Sequence, residues 1–303
     1  MVRFGFGIDY WVNKFSLDFN RALDEISYTG WDGVELSYDN YLDYYLDNVD
    51  ELRKLLELHK LEFTTFYSHL ILIDKDYIEV EIDLIKRKIN LIKSLGSDIL
   101  QLDGGKKLGD SSQKDYKYSV ENIKRICELA HSKKLKPTWH QHWGTIFDNA
   151  ESFEYLMENT KDAGLYFNPD TAQLFMSGMD PLETMEKYRD RINYIHLKDI
   201  KENDFINRYL KPTEDVYNNK NMPTEKYQYL EDRFLDDGCF HINSRHKITE
   251  IARGIIEFKP IVKLIKNINF NGWVVVDQDY TEYKTIESLD VNLKNLKYLF
   301  ELE

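Results

Sequence analysis

The chain has 303 residues, a length that suits either two average domains or one α/β barrel with insertions. Hydrophobic residues make up 42 % of the chain and charged residues 31 %, with 14 Gly and 6 Pro, which excludes a collagen-like, low-complexity or disordered polymer. The formal net charge of −13 would repel polyanions, so the composition argues against nucleic acid and anionic membranes as partners.

Neither the cysteines nor the amino terminus indicates secretion. Cys127 and Cys239 are too few for a disulfide framework, and Cys127 falls on the apolar stripe of a predicted helix. Every apolar run is shorter than 18 residues, and Asp9 lies where a signal peptide would carry its hydrophobic segment. We therefore expect a cytoplasmic protein.

Short apolar runs recur along the chain, each bounded by polar residues or glycine, as is typical of buried strands. Their first residues are 28 to 39 positions apart, except for a step of 79 before the last run. One strand and one helix together need about thirty residues, so the spacing predicts a strand–helix repeat. The eight predicted strands are residues 4–8, 33–36, 63–67, 98–102, 137–142, 165–167, 194–197 and 273–277.

Helical periodicity appears in the gaps between these runs, with apolar residues at i, i+3, i+4 and i+7. Eight strands alternating with helices predict a (β/α)₈ TIM barrel that forms a single domain over residues 1–303. The alternative is an open doubly wound sheet, which often carries a G-x-G-x-x-G turn that this sequence lacks. The clearest helical sets are Phe19, Ala22, Leu23 and Ile26; Ile123, Ile126, Cys127 and Ala130; and Phe258, Ile261, Val262 and Ile265.

Residues 200–252 form a predicted insertion between the seventh and eighth strands. The segment is rich in Asn, Lys, Asp and Tyr and is too long for an ordinary loop. Because it follows a strand, it should lie over the carboxyl-end face of the barrel, where active sites are built. We expect a lid or a partner surface there; a surface insertion without contact to the site is the alternative.

Polar residues of metal-ligand type end four successive strands: His140, Asp170, His196 and Asp277. In a barrel these ends share one mouth, and two carboxylates buried there together would be costly without a cation. Imidazole and carboxylate ligands together suit transition metals. The sequence therefore predicts a divalent metal site. We expect Mn²⁺, with Co²⁺, Fe²⁺, Zn²⁺ and Mg²⁺ as alternatives.

The strand-end motifs, taken in order, resemble those of the xylose-isomerase-like TIM-barrel superfamily, also called the sugar phosphate isomerase/epimerase family, and its inosose-dehydratase-like branch. Residues 140–145 (HQHWGT) are similar to the H-x-H-x-G-T of inosose dehydratases, and residues 196–199 (HLKD) to the H-x-K-D after strand seven. The segment from Gly164 to Gly178 resembles one written D-T-G-H followed by a Gly and Asp-Pro, matched here by Asp170, Gly178, Asp180 and Pro181. Residues 272–279 (GWVVVDQD) resemble G-W-x-V-V-E-x-D. The resemblance covers nearly the whole chain.

The resemblance assigns the metal ligands to the same four residues, with two departures among them. The family most often has Glu where this chain has His140 and Asp277, and it has His where this chain has Gln173. The paired-glutamate mechanism of the epimerases therefore cannot be copied here, because a metal-bound neutral histidine is a poor base. Another base is needed nearby.

His142 is the first choice for the catalytic base. The resemblance places a catalytic histidine of the dehydratases there, and the ordinary pKa of histidine, near 6.5, suits proton abstraction. Asp277 is the alternative base. Lys198 is expected to stabilise negative charge on the substrate, and an ion pair with Asp199 is the alternative role.

Further polar residues near the strand ends are expected to contact substrate or to support the ligands, with purely structural hydrogen bonding as the alternative. Trp11 belongs to a loop that partly resembles the G-W-x-N-D loop of inosose dehydratases. The expected substrate-binding residues are Trp11, Glu35, His69, Gln101, Asp103, Gln173 and Asp279.

These residues predict an enzyme that removes a proton next to a carbonyl on a sugar, keto-sugar or cyclitol. We expect an isomerase or epimerase; an inosose-dehydratase-like lyase with the same metal site is the first alternative, and a non-catalytic sugar-binding or partner subunit is the second. DNA repair of the endonuclease IV type is disfavoured by the negative charge and the missing Glu ligands. The partner is a small, unphosphorylated carbohydrate or cyclitol, and a homodimer is expected.

Overall fold

The computed structural model describes residues 1–8, 12, 18–36, 40–104, 113–201 and 247–302. Most of the predicted insertion, residues 202–246, and the predicted site residue Trp11 lie outside the described residues. In the described part of the chain, no helix is both long enough and apolar enough to cross a membrane.

The described strands are short, and eight of them coincide with the eight predicted strands. The match is within about two residues at each end; the fifth prediction, residues 137–142, is too long, because the strand ends at His140 and the chain then turns. The strands are β1 Arg3–Gly7, β2 Gly33–Leu36, β3 Glu62–Phe66, β4 His69–Leu70, β5 Ile99–Gly104, β6 Lys136–His140, β7 Tyr166–Asn168, β8 Tyr194–Leu197, β9 Asp199–Ile200, β10 Ile248–Thr249 and β11 Trp273–Val276.

Helices follow most of these strands and cover the outside of the sheet. The described α-helices are α1 Phe19–Thr29, α2 Asn40–Asp47, α3 Val49–His59, α4 Ile78–Ser94, α5 Gln113–Ser132, α6 Ala150–Asn159, α7 Thr171–Met176, α8 Pro181–Lys187, α9 Phe258–Asn267 and α10 Thr285–Leu302, with a 3₁₀ turn at Arg189–Arg191.

The parallel strands form the predicted TIM barrel. One sheet has the order β3-β2-β1-β11-β8, and a second has the order β4-β5-β6-β7. Parallel bridges between Phe167 and Ile192 and between Asp170 and His196 join β7 to β8. On the other side, the third barrel strand is interrupted after Phe66, so that β3 pairs with β2 and β4 pairs with β5.

The predicted apolar stripes face the barrel and are buried. In α1, Phe19, Ala22, Leu23 and Ile26 are all buried, and Asp18 caps the amino end by accepting hydrogen bonds from backbone N–H groups. Full burial of a side chain such as Leu23 contributes about 1.5–3 kcal/mol. The helical period read from the sequence therefore corresponds to the packing that holds the helices on the barrel.

The two ends of the predicted insertion are held together beside the barrel mouth. Strands β9 and β10 pair antiparallel, and the Lys201 N–H donates to the Lys247 carbonyl over 2.7 Å. The Asp199 carboxylate accepts hydrogen bonds from the backbone N–H groups of Gly254 and Ile256 at 2.7 and 3.2 Å. These contacts fix where residues 202–246 leave and rejoin the barrel. The lid or partner role of that segment stays a prediction.

Candidate metal centre and active site

The four predicted metal ligands meet at the carboxyl ends of their strands. His140 ends β6, Asp170 follows β7, His196 lies in β8, and Asp277 follows β11. One ligand atom of each lies within 4.8 Å of those of the other three. The side chains of His140, Asp170 and His196 are fully buried, whereas that of Asp277 is 22 % exposed. Parallel strands thus bring together residues that are far apart in sequence, and they leave one side of the group open to the mouth.

His196 presents an unpartnered nitrogen to the two carboxylates. Its Nε2 lies 2.9 Å from Glu35 Oε2, an acceptor, so Nε2 carries the proton and Nδ1 the lone pair. Nδ1 is buried without a hydrogen-bond partner among the described residues, and it lies 3.8 Å from Asp170 Oδ2 and 3.9 Å from Asp277 Oδ2. A buried lone pair beside two carboxylate oxygens is what a divalent cation would satisfy, so the residues fit a metal ion.

His140 has its two ring nitrogens on opposite sides of the group. Nε2 faces Asp170 Oδ2 at 3.4 Å, and Nδ1 lies 2.9 Å from the Tyr67 hydroxyl, which also bonds Asp103. Burial lowers the pKa of His140, but the hydrogen bonds and charges of Asp103 and Asp170 outweigh it and raise the pKa to about 9. Without a metal ion, therefore, the imidazole is protonated at neutral pH and acts as a counter-ion to Asp170.

Lys198 places an ammonium among the carboxylates of this group. Its Nζ lies 2.6 Å from both Asp277 Oδ2 and Asp279 Oδ2, and 3.6 Å from Asp170 Oδ2. Burial lowers the pKa of Lys198, but the charges of Asp277, Asp279 and Asp170 outweigh it and raise the pKa well above the ordinary value. Burial alone would raise the pKa of Asp170. The positive charge of Lys198 and the contacts with His140 and His196 have the larger, opposite effect, so the pKa lies well below its usual range.

His142 and Gln173 form a pair at the rim of the group. The backbone N–H of Trp143 donates to Gln173 Oε1 over 3.1 Å, so the Gln173 amide NH₂ faces His142 Nε2, also at 3.1 Å. His142 Nδ1 lies 2.7 Å from the Trp143 carbonyl, to which it donates. These partners hold the imidazole with its proton on Nδ1 and its lone pair on Nε2. The ring centroids of His140 and His142 are 5.8 Å apart.

The other predicted substrate contacts lie in two different places. Asp279 reaches the mouth and contacts Lys198. Glu35, Gln101 and Asp103 are buried behind the ligands: Glu35 on His196, Asp103 on Tyr67, and Gln101 within hydrogen-bond distance of Asn168 Nδ2. Their positions correspond to the supporting role that the sequence left open. Trp11 and the side chain of His69 lie outside the described part of the structure.

Two tyrosines that sequence reasoning missed complete the site. The Tyr194 hydroxyl donates to Glu35 Oε2 over 2.8 Å and approaches Thr64 Oγ1 at 2.7 Å, and Tyr67 bridges Asp103 and His140. Both tyrosines belong to apolar runs that predict strands, so their rings account for their presence and their hydroxyls give no separate signal. A polar tip at the end of a buried strand was the available clue.

Comparisons with known proteins agree with this architecture. Residues 23–299 match the family described as xylose isomerase-like TIM barrel. An inosose dehydratase of Clostridium tetani (strain Massachusetts / E88) is 25 % identical and covers 93 % of this chain and 89 % of its own length. The probable 3-DHS dehydratase AsbF of Bacillus anthracis superposes with a TM-score of 0.71 at 19 % identity, covering 97 % of this chain and 98 % of its own. The IOLI protein, solved with a zinc atom, superposes with a TM-score of 0.74 at 14 % identity, covering 99 % of this chain and 98 % of its own. The chain belongs to the xylose isomerase-like TIM barrel family.

Proposed function

We propose that this protein is a divalent-metal-dependent enzyme that abstracts the proton next to the carbonyl of a cyclitol ketone or sugar, after which a neighbouring hydroxyl leaves as water. The observation that carries the proposal is the group of His140, Asp170, His196 and Asp277, with the unpartnered His196 Nδ1 facing the carboxylates. Burying two carboxylates and two imidazoles side by side is costly unless a cation binds them, so a site that only shaped a binding pocket would not need this arrangement.

The charges around the group favour a divalent cation. Asp170, Asp277 and Asp279 face two cations in the metal-free protein, the Lys198 ammonium and the His140 imidazolium, so negative charge remains in excess among them. When bound, a divalent metal ion would polarise the substrate carbonyl and acidify the neighbouring carbon. Two imidazoles and two carboxylates suit Mn²⁺, our first choice, and also Zn²⁺, Co²⁺ and Fe²⁺. A zinc atom is present in the IOLI protein, whose fold this chain shares.

His142 is the base of the proposed reaction. Its lone pair is on Nε2 and its other nitrogen is fixed by the Trp143 carbonyl, so the substrate proton would be taken at Nε2 once the Gln173 amide yields that position to substrate. The C–H bond breaks, its electron pair forms a C=C bond, and the neighbouring C–O bond breaks. The proton held at Nε2 then leaves with the departing hydroxyl as water, so that atoms and charge balance.

Lys198 stabilises the charge that develops during proton abstraction. Its ammonium is buried, fixed by Asp277 and Asp279, and held in its charged form by them. A cation whose pKa is raised this far donates its proton reluctantly, so we assign it an electrostatic role towards the carbonyl oxygen. The carboxylates of Asp277 and Asp279 at the mouth disfavour a phosphorylated substrate.

Dehydration is preferred to epimerisation because the inosose dehydratase of Clostridium tetani aligns along most of both chains. The two outcomes share proton abstraction and differ only in whether a hydroxyl leaves. A cyclitol ketone is therefore the first substrate class to examine, with keto-sugars second.

The test incubates the Mn²⁺-loaded protein with a panel of inososes and ketohexoses in deuterated water. NMR follows deuterium at carbon, and mass spectrometry follows the loss of water. We expect metal-dependent loss of water from an inosose. Deuterium uptake with a changed configuration and no loss of water would overturn the dehydration step in favour of an epimerase. No exchange on any compound, with metal bound, would overturn catalysis and leave a binding subunit.

The variant His142→Ala tests the base. Removing a general base lowers the rate by about 10²- to 10⁴-fold, and we expect a loss in that range with metal binding retained. The matched control is His131→Ala, because His131 is exposed on α5 and the hydrogen bond described for its side chain is to the Ala163 carbonyl. A rate in His142→Ala equal to that of the control would remove His142 from the mechanism.

A further inference from the structure

A chain of two hydrogen bonds lies behind His140 on the side away from the metal group. The Tyr67 hydroxyl is 2.9 Å from His140 Nδ1, and it donates to Asp103 Oδ2 through a short hydrogen bond. Asp103 Oδ2 is itself 3.7 Å from His140 Nδ1, so the hydroxyl lies between them. Tyr67 is 8 % exposed, Asp103 1 % and His140 0 %, so bulk water does not compete for these bonds. We call Asp103 and Tyr67 the relay.

The direction of each bond in the relay follows from counting donors. A tyrosine hydroxyl has one proton, and the Asp103 carboxylate oxygen can only accept it. The hydroxyl oxygen that remains can only accept from His140 Nδ1, so Nδ1 must carry a proton. The neutral form of His140 that can bind a metal then has its lone pair on Nε2, the atom that faces Asp170.

We propose that the relay selects the tautomer of His140 and aims its Nε2 at the metal position, which makes Tyr67 and Asp103 positioning residues for a ligand. The inference rests on the metal site of the proposed function. Without the hydroxyl, the imidazole could protonate either nitrogen and rotate, and the fraction of chains with a competent ligand would fall. The ring of Tyr67 also packs edge-on against that of His140, with centroids 5.0 Å apart.

His196 is also hydrogen-bonded to a buried carboxylate, but without a tyrosine between them. His196 donates from Nε2 straight to Glu35, so its free nitrogen is Nδ1, whereas His140 donates from Nδ1 through Tyr67, so its free nitrogen is Nε2. Each free nitrogen faces Asp170 Oδ2, at 3.8 and 3.4 Å. The relay therefore does for His140 what Glu35 does directly for His196.

The test compares Tyr67→Phe and Asp103→Asn with the control Tyr188→Phe. Tyr188 is a buried tyrosine directly after α8, where its ring contacts Phe153 and Phe167. Mn²⁺ dissociation constants are measured by competition with a chelator, and urea unfolding checks that each variant folds. NMR of the ¹⁵N-histidine-labelled, Zn²⁺-loaded protein reports which nitrogen of each imidazole carries the proton.

We expect Tyr67→Phe to weaken Mn²⁺ binding about 10- to 100-fold and to remove the hydrogen-bonded Nδ1–H signal of His140, while the control changes binding less than about 2-fold. Asp103→Asn keeps an acceptor for the hydroxyl and should show a smaller loss with the signal retained. Binding in Tyr67→Phe equal to that of the control, or a wild-type His140 without a proton on Nδ1, would overturn the relay alone. A wild-type protein that binds neither ion would overturn the metal site as well. If Tyr67→Phe fails to fold, the comparison of Asp103→Asn with the control decides.

Discussion

Replacing Lys198 by methionine removes the ammonium that contacts Asp170, Asp277 and Asp279, and keeps a straight side chain of similar size. The Nζ atom lies 2.6 Å from Asp277 Oδ2 and from Asp279 Oδ2, and the side chain is 1 % exposed. At an effective dielectric constant of about 20, each contact is worth about 6 kcal/mol before desolvation is subtracted. Removing one partner of a buried ion pair costs about 3–5 kcal/mol in total. We therefore expect metal-free Lys198→Met to lose about 3–5 kcal/mol of unfolding free energy.

A bound metal ion should reverse much of this loss. With Lys198 gone, Asp277 and Asp279 lose the ammonium that competes with a metal ion for their oxygens. Mn²⁺ should therefore bind Lys198→Met at least as tightly as it binds the wild type, even though turnover falls. Urea unfolding with chelator and with excess Mn²⁺ measures both effects. The matched control is Lys187→Met: Lys187 pairs with Glu154 over 2.8 Å, but the side chains are 51 % and 56 % exposed, and such pairs contribute at most about 1 kcal/mol. A metal-free loss in Lys198→Met no larger than in the control would refute the electrostatic reasoning.

Two further predictions concern residues of the barrel outside the four proposed ligands. Burial raises the pKa of Glu81 from 4.5 to about 7. As the pH rises through this range, Glu81 ionises in the unfolded chain before it ionises in the folded protein, so the free energy of unfolding falls by about 3 kcal/mol. Urea unfolding measures this at pH 4.5 and 7.5: the unfolding free energy of the wild type should fall between the two pH values by about 3 kcal/mol more than that of Glu81→Gln. A difference in unfolding free energy between the two proteins that is the same at both pH values would contradict the prediction. Gly104 has φ +107°, and a Cβ there would lie 2.1 Å from the Leu70 carbonyl oxygen, whereas a Cβ on Gly96, at φ +84°, meets nothing within 4 Å. In denaturation experiments Gly96→Ala should therefore lower the unfolding free energy by about 1 kcal/mol, and Gly104→Ala should lower it clearly more. Similar losses in both variants would show that the approach of Gly104 to the Leu70 carbonyl is unimportant.

The barrel and its metal group could be predicted from the sequence because both depend on topology more than on detail. Once eight runs at a strand–helix spacing are assigned to a parallel barrel, the ends of the runs must meet. His140, Asp170, His196 and Asp277 then lie together whatever the exact register. The helical stripes were predictable for a similar reason, since a period of 3.6 residues identifies the buried face without any long-range information.

The order of layers around the metal group could not be predicted. Glu35 and Asp103 end strands just as the ligands do, yet they lie behind the imidazoles, because the position of a side chain in the mouth depends on strand tilt and on the break between β3 and β4. The role of Tyr67 depends on that same break, which places Tyr67 opposite His140 and next to Asp103. A pattern of apolar and polar residues identifies a strand end, but it does not give the depth at which the side chain lies.

The replacement of a glutamate by His140 has an electrostatic consequence that the relay offsets. In the family pattern that this sequence resembles, a carboxylate at that position would bring a negative charge directly to the metal. Here the charge is on Asp103, one hydroxyl group further out, whereas Glu35 accepts directly from His196. An imidazole that donates to a carboxylate, directly or through a hydroxyl, is a stronger electron donor at its other nitrogen, so each histidine would act as a partly anionic ligand in the proposed metal site. The proposed centre would thus keep much of the negative charge that a divalent cation requires without placing Asp103 or Glu35 beside the ion.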